Sequence, residues 1–393
     1  MNESSNSPLA TAVRRVVAVL ACVYLVCAVP VLVLAALLLV QGETCQGRLF
    51  AMAVLVGVPA PLLLWLGSYP RPERVTLAAG AILGALTLLL LGLDYHLTPA
   101  GRSLPGAPMR SCFTGATAYQ RASLANLVPE MDQLILASYV MPWLDPLMDR
   151  PNTEELRGQV RAIYGEMRQD PAFECLGSVF NLTYRDLFLG DRPVGHFYEY
   201  IPKVSARERL PVIVFLHGSL GNFKGYLWVW KRFADDNDVA IVAPSFGTGN
   251  WDAPGGEDAI EQARQYCVAH PRLDPSRIYL AGLSNGGRGV CLAARSRPES
   301  YRGLIFISPV LDTDLMLGPS FIAAWKDKPI LVLHGSADNR IPRYYVNEAV
   351  AMLRGAGLRV EARSFEGQTH FLFFTIRDEV RATIGKWLRQ EAL

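Results

Sequence analysis

Residues 16–40 contain neither a charged side chain nor an amide in 25 consecutive positions, enough α-helix for about 37 Å at 1.5 Å per residue. A helix of that length and character must be surrounded by apolar material, and a bilayer core about 30 Å thick supplies it. Two further runs, 49–67 and 75–93, are uncharged over 19 residues each, or about 28 Å of helix apiece. Buried helices of a soluble core are the competing reading of these two, and Pro59 and Pro61 weaken the second run as a regular helix. Three such runs within the first 93 residues, separated by short polar joints, favour insertion. Arg14 and Arg15 could open a signal peptide, but signal cores span about 7–15 residues, so an uncleaved anchor is favoured. Gly80 and Gly84 form a Gly-x-x-x-Gly that would let helices approach closely, although small residues are common in any membrane helix. Residues 1–94 are therefore expected to form a membrane segment of three transmembrane helices with the lipid bilayer as partner.

Orientation follows from Lys and Arg near the helix ends. Arg14, Arg15, Arg71 and Arg74 fall on one side and Arg48, Arg102 and Arg110 on the other. The bias places the N-terminus in the cytoplasm and, after three crossings, everything beyond residue 93 outside it. The chain is thus expected to be an integral membrane protein with an extracytoplasmic domain. Cys45 and Cys112 would share that external face, where a disulfide and two free thiols are both open readings, with Cys175 a competing partner. The balance of 38 Lys+Arg against 36 Asp+Glu leaves a net charge of only +2, no field to hold a nucleic acid.

Residues 95–177 read as a partly helical connector. The segment 134–148 is apolar but short and holds Pro142, Asp145 and Pro146, which suits an interfacial or packed segment better than a fourth span. A fourth span would invert the orientation. A helix is expected from Asn152 to about 168, with Asn152 as its N-cap.

From 178 to 393 the periodicity changes. Alternation over 179–188 and 195–201, around Gly190-Asp191-Arg192-Pro193, predicts an antiparallel hairpin. Short continuous apolar runs follow at 212–216, 239–243, 278–281, 303–307 and 330–333, with a final strand at 359–364. Such runs suit strands buried on both faces of a parallel sheet. Helical patterns at 224–235, 256–269, 285–296, 343–354 and 373–390 alternate with them. Strand, crossover helix, strand gives a doubly wound, mostly parallel α/β sheet.

Chemistry in such sheets concentrates at the carboxyl ends of the strands. His217-Gly218-Ser219-Leu220-Gly221-Asn222 follows the third predicted strand, and Gly282-Leu283-Ser284-Asn285-Gly286 follows the fifth. The latter is a Gly-x-Ser-x-Gly between strand and helix, as a nucleophile elbow requires. His334-Gly335-Ser336-Ala337-Asp338 ends the seventh strand, and Gly367-Gln368-Thr369-His370 follows the last. One Gly-x-Ser-x-Gly is weak, since Ser284 alone would serve as an ordinary helix cap. Four motifs in order, each at a strand end, are strong. On these motifs residues 178–393 resemble the α/β-hydrolase superfamily, most closely its compact esterase and prolyl-oligopeptidase-like serine hydrolases.

The resemblance implies a Ser284–Asp338–His370 triad, and the chemistry agrees with it. A serine hydroxyl is a weak nucleophile at neutral pH and needs a neighbouring imidazole to take its proton. That imidazole in turn needs a carboxylate to hold its tautomer. Asp312 and Asp314, after the sixth strand, are the competing acids. Gly282 and Gly286 would allow the sharp turn, and the Asn285 amide would stand at the positive end of the following helix, where an oxyanion develops. The second oxyanion amide is expected from Ser219, or from Leu220 if the loop is one residue out of register. His217 and His334 precede glycines and are expected to shape their loops. The family often carries Gly-His at its base; here Thr369 replaces that glycine.

The expected activity is hydrolysis of a carboxylic ester, small or on a lipid or polymer, through an acyl-enzyme. Peptide hydrolysis and a retired hydrolase acting as a membrane-anchored binding protein are the alternatives. The short interval between the sixth and seventh strands predicts an open site. Tyr226, Trp228, Trp230 and Trp251 lie in or near the facing loops, and Tyr226 and Trp251 are the substrate-binding candidates, against a packing role. No Walker loop, dinucleotide fingerprint or metal cluster is visible, so no cofactor and no metal is implied.

Overall fold

The computed structural model describes residues 8–67 and 74–392. Arg71, one of the charges used for orientation, lies outside the described residues. The chain divides into two compact units, one of residues 1–98 with 127–140, the other of 99–126 with 141–393.

The first unit is helical: α1 (Pro8–Gln41), α2 (Cys45–Gly57), α3 (Pro59–Gly67), α4 (Arg74–Leu97) and the start of α5 (Glu130–Leu144). Three stretches, Arg15–Gln41, Cys45–Leu66 and Arg74–Leu97, are long and apolar enough to cross a membrane. The second divides into two helices. Pro59 has no N–H to donate backward but suits the first position of a new helix, so α2 closes at Val58 and α3 opens. Gly57 fits against Thr87, and a Cβ on Gly80 would lie 2.9 Å from Leu64 Cγ, so small residues permit close approach between α4 and its neighbours. Gly84 has nothing within 4 Å, so only one glycine of the pair is used. α5 covers most of the segment expected to be interfacial or packed, and it is not among the stretches long and apolar enough to span. Its Asp132 accepts the Glu43 N–H at 2.6 Å and the Thr44 hydroxyl, while Thr44 Oγ1 accepts from Gly47 N at 2.8 Å and caps α2. A carboxylate there also meets the positive end of the helix dipole.

The second unit is built on an eight-stranded sheet of order β1-β2-β4-β3-β5-β6-β7-β8. Its strands are β1 (Met109–Phe113), β2 (His196–Tyr200), β3 (Leu210–Leu216), β4 (Ala240–Pro244), β5 (Leu273–Leu283), β6 (Gly303–Ile307), β7 (Ile330–Gly335) and β8 (Val360–Phe365). β1 and β2 pair antiparallel and β3 to β8 are parallel. Every residue of β3, β4, β6 and β7 is buried, as continuous apolar runs between two helical layers require. The unit's helices of eight or more residues are α6 (Arg150–Met167), α7 (Phe180–Leu189), α8 (Lys224–Asn237), α9 (Gly256–Ala269), α10 (Gly286–Ser296), α11 (Arg343–Gly355) and α12 (Arg377–Ala392). Strand order reverses between β3 and β5, so the loops leaving them part on either side of a crevice.

Three readings of residues 95–201 need correction. Residues 180–189 form a helix, not the first strand of a hairpin: Phe180, Tyr184 and Phe188 recur every four residues with ring centroids 6.2 and 6.4 Å apart, and Gly190 ends the turn at φ +65°. The antiparallel partner of β2 is β1, which lies inside the stretch read as connector. The N-cap of α6 is Asp149, whose side chain accepts from Asn152 N at 2.9 Å. Cys45 and Cys112 are both free thiols, and burial pushes that of Cys112 up to about 12.

Candidate active site

Ser284 stands between β5 and α10 with φ +53°, a left-handed backbone that a non-glycine residue adopts only when its surroundings enforce it. The enforcement is visible. Ser284 N donates to Ile307 O at 3.0 Å, and its carbonyl accepts from Gly287 N and Val310 N, both at 2.9 Å. A Cβ on Gly282 would lie 2.4 Å from Gly286 O, and one on Gly286 2.1 Å from Leu216 O. Side chains at these positions would force the turn apart, which is the steric meaning of the motif.

Asp338 and His370 come together from the loops after β7 and β8, with His370 Nδ1 2.8 Å from Asp338 Oδ2. Since the carboxylate can only accept, Nδ1 is the donor in this bond, and a neutral imidazole so held would present its lone pair at Nε2. The other oxygen, Oδ1, accepts the N–H groups of Arg340 and Ile341, each at 2.9 Å. Burial raises the Asp338 carboxyl pKa, but the His370 hydrogen bond, the Ile341 amide and His334 outweigh it, and the group sits below the ordinary carboxylate value. The two loops brace one another: Ala337 N donates to Gln368 O at 2.9 Å and Gly367 N to Ser336 Oγ at 2.8 Å. Asp312 is engaged elsewhere, 3.3 Å from Arg288 and capping Leu315 N, and Asp314 is exposed.

Ser284 and Asn285 meet the loop after β3. Asn285 Nδ2 donates to Ser219 Oγ at 3.0 Å, and a Cβ on Gly218 would lie 3.2 Å from Ser284 Cβ. Leu220 and Gly221 both have positive φ, +78° and +93°, so that loop bends sharply beside the elbow. Among the described residues no hydrogen bond joins the Ser284 hydroxyl to His370; unliganded sites often leave that contact open until substrate enters.

The two substrate-binding candidates are spent on packing. Trp251 is 1% exposed, donates its indole N–H to His217 O at 2.9 Å and presses on Gly289 of α10. Tyr226 is 4% exposed and stacks on Phe223 with centroids 3.9 Å apart. His217 is buried as well: its Nδ1 donates to Gly218 O at 2.8 Å and Nε2 accepts from Phe246 N, so it braces the loop, and burial pushes its pKa down to about 4. His334 donates from Nε2 to Ile341 O at 2.8 Å and lies 3.6 Å from Asp338 Oδ2. Sequence reasoning placed Asn222 in its loop motif but gave it no role and missed that its amide donates to Ala243 O and Ser245 Oγ, pinning the same loop to the end of β4. It also missed Arg288, one turn after Ser284, between Asp252 and Asp312.

Sheet order, parallel core and elbow together decide the architecture. The fold is that of an α/β-hydrolase. No family model matches the chain. Over 117 residues it is 25% identical to a probable inactive carboxylesterase of Oryza sativa subsp. japonica, covering 30% of this chain and 48% of that protein. The chain thus spans about half the length of the curated relative it matches. A hyperthermophilic esterase of the archaeon Pyrobaculum calidifontis aligns with TM-score 0.42 and 20% identity, covering 51% of this chain and 85% of that one. For Est1E from Butyrivibrio proteoclasticus the values are 0.41, 18%, 50% and 94%. For an S-formylglutathione hydrolase from Agrobacterium tumefaciens they are 0.40, 17%, 50% and 89%.

Proposed function

We propose that this chain is a membrane-anchored serine hydrolase that cleaves a carboxylic ester through an acyl-enzyme on Ser284. The observation that carries the reading is the His370–Asp338 hydrogen bond of 2.8 Å, made through Nδ1, in a fold that presents Ser284 on a left-handed elbow. Nε2 of His370 takes the Ser284 proton as Oγ attacks the ester carbonyl. The oxyanion is held by the N–H of Asn285, at the start of α10, and by that of Ser219 or Leu220. The imidazolium, stabilised by Asp338, then protonates the departing alcohol. Water repeats the sequence to release the acid. Each oxyanion donor contributes about 10² to 10³ in rate. The substrate class is an ester, small or borne on a lipid or polymer, that reaches the site without a large lid, since β6 and β7 are joined by two short helices, Thr313–Met316 and Pro319–Trp325.

Fluorophosphonate labelling of the full chain in detergent tests this. Wild type is expected to label and Ser284→Ala not to, with ester turnover falling about 10⁴-fold or more in the variant. Nitrophenyl esters, long-chain lipids and aminoacyl amides separate esterase from peptidase; turnover of amides alone would assign a peptidase. The name of the rice relative favours a second reading, an inactive hydrolase domain. Against it, serine, acid and imidazole are all retained here, and folded wild type that never labels would establish it.

A further inference from the structure

One segment of the chain, residues 145–155, touches both loops that carry the acid and the base. Asp145 Oδ2 lies 3.1 Å from Arg340 Nη1. The amide of the buried Asn152 donates to Asn339 Oδ1 at 3.2 Å, and also to Leu147 O. Thr369 Oγ1 donates to Glu155 Oε2 at 2.9 Å while accepting the Phe371 N–H at 3.2 Å. Each partner is a neighbour of the acid–base pair. Asn339 and Arg340 directly follow Asp338, and the Arg340 N–H is one of the two donors on Asp338 Oδ1. Thr369 directly precedes His370, and its hydroxyl bridges across the base to the residue on the far side.

These contacts do something that neither loop does alone. A loop tip fixed only at its strand end keeps freedom to rotate, and displacing a base by about 1 Å can cost 10²-fold in rate. Segment 145–155 is itself held, because Asp149 caps α6 and Asn152 lies in the first turn of that helix. A rigid element therefore grips the acid loop at two points and the base loop at a third. The glycine that the family often has before its base has no hydroxyl to offer; Thr369 supplies one, and Glu155 receives it.

We infer that residues 145–155 form a positioning strap for the Asp338–His370 pair, with the Glu155–Thr369 hydrogen bond as its principal tie. The strap touches no reacting atom and acts through the orientation of the imidazole. It rests on the triad reading given above. Its loss is expected to lower kcat and leave KM nearly unchanged.

The test uses the full chain in detergent, below its melting temperature, and reads the second-order rate of fluorophosphonate labelling together with kcat and KM for a nitrophenyl ester. Glu155→Ala and Thr369→Val are each expected to slow labelling and lower kcat about 10- to 100-fold, with KM within about twofold. Glu155→Gln, which keeps an acceptor oxygen, and Thr369→Ser, which keeps the hydroxyl, are expected to stay within about threefold of wild type. The double variant Glu155→Ala/Thr369→Val is expected to be no slower than the slower single variant, because both remove one tie. Asn152→Ala, at the other tie, should show a smaller loss of the same kind and serves if the Glu155 or Thr369 variants do not fold. Folded single variants that label at the wild-type rate overturn the strap, as do losses in KM rather than kcat, losses that multiply in the double variant, or losses the conservative variants fail to rescue. A folded wild type that does not label overturns the triad reading and the strap with it.

Discussion

Burial and hydrogen bonding pull the Asp338 carboxyl in opposite directions, and the side that favours the anion wins. An acceptor-only carboxylate is what an imidazole needs to keep its proton on Nδ1, so Asp338→Asn is expected to preserve the fold while lowering kcat about 10⁴-fold through the wrong tautomer. Turnover within tenfold of wild type would show that another group orients His370. Histidines away from the proposed chemistry set a different pH dependence. His196 is held between Ser111 Oγ and Ser245 Oγ, at 2.9 and 2.8 Å, and burial pushes its pKa down to about 3; His217 is pushed down to about 4. Both values lie below the unfolded value near 6.5, so the unfolded chain binds more protons and stability falls with acid. The loss begins as pH drops through about 6.5 and continues toward 4, at up to about 1.4 kcal/mol per pH unit for each group. Melting of the full chain between pH 7 and 4.5 should follow that slope, and His196→Phe should be less stable at pH 7 yet flatter with pH. An unchanged slope in the variant would remove His196 from the account. Ser284, Asp338 and His370 each lie in a motif visible in the sequence, whereas the burial of Trp251 and Tyr226 was not visible there, because an aromatic beside a strand end looks the same whether it faces solvent or core.

Among the elements, those with one strong local signal were legible. The buried strands of the parallel core follow their apolar runs closely, and α9 spans Gly256–Ala269 as its periodicity predicts. α7 was not, since Val179 to Phe188 alternates like a strand while its aromatic residues also recur every fourth position. Tertiary contacts choose the helix: Thr183 Oγ1 donates to Gly247 O at 3.0 Å, and Asp186 Oδ2 accepts from the N–H and hydroxyl of Thr248. The N-terminus of α2 shows the same dependence on a distant group. Its cap is Thr44, but Thr44 is oriented by Asp132, 88 residues later. Asp132→Ala leaves both the Glu43 N–H and the Thr44 hydroxyl without their acceptor and is expected to destabilise the helical unit by about 1–3 kcal/mol. Thermal unfolding in detergent, compared with Thr44→Ala and the double variant, measures it; strictly additive losses would mean that the two residues do not act as one cap.

For the whole molecule, the expected consequence is topological. Three crossings beginning in the cytoplasm would deliver the α/β-hydrolase unit to the other side, so a reporter fused after α12 is expected to be active only outside the cytoplasm, and external protease should reach that unit in intact cells. A reporter active in the cytoplasm would invert the arrangement. The long apolar helices, the sheet type and the order of Ser284, Asp338 and His370 at successive strand ends were already in the chain, because hydrophobic run length, strand and helix periodicity and glycine-bounded turns are properties of neighbouring residues. Tertiary structure alone joined β1 to β2, returned residues 127–140 to the helical unit, and set Glu155 against Thr369 across 214 residues. Such contacts depend on where distant segments meet after the core has closed, and pairing at that range leaves no periodic trace in either partner's own stretch of sequence.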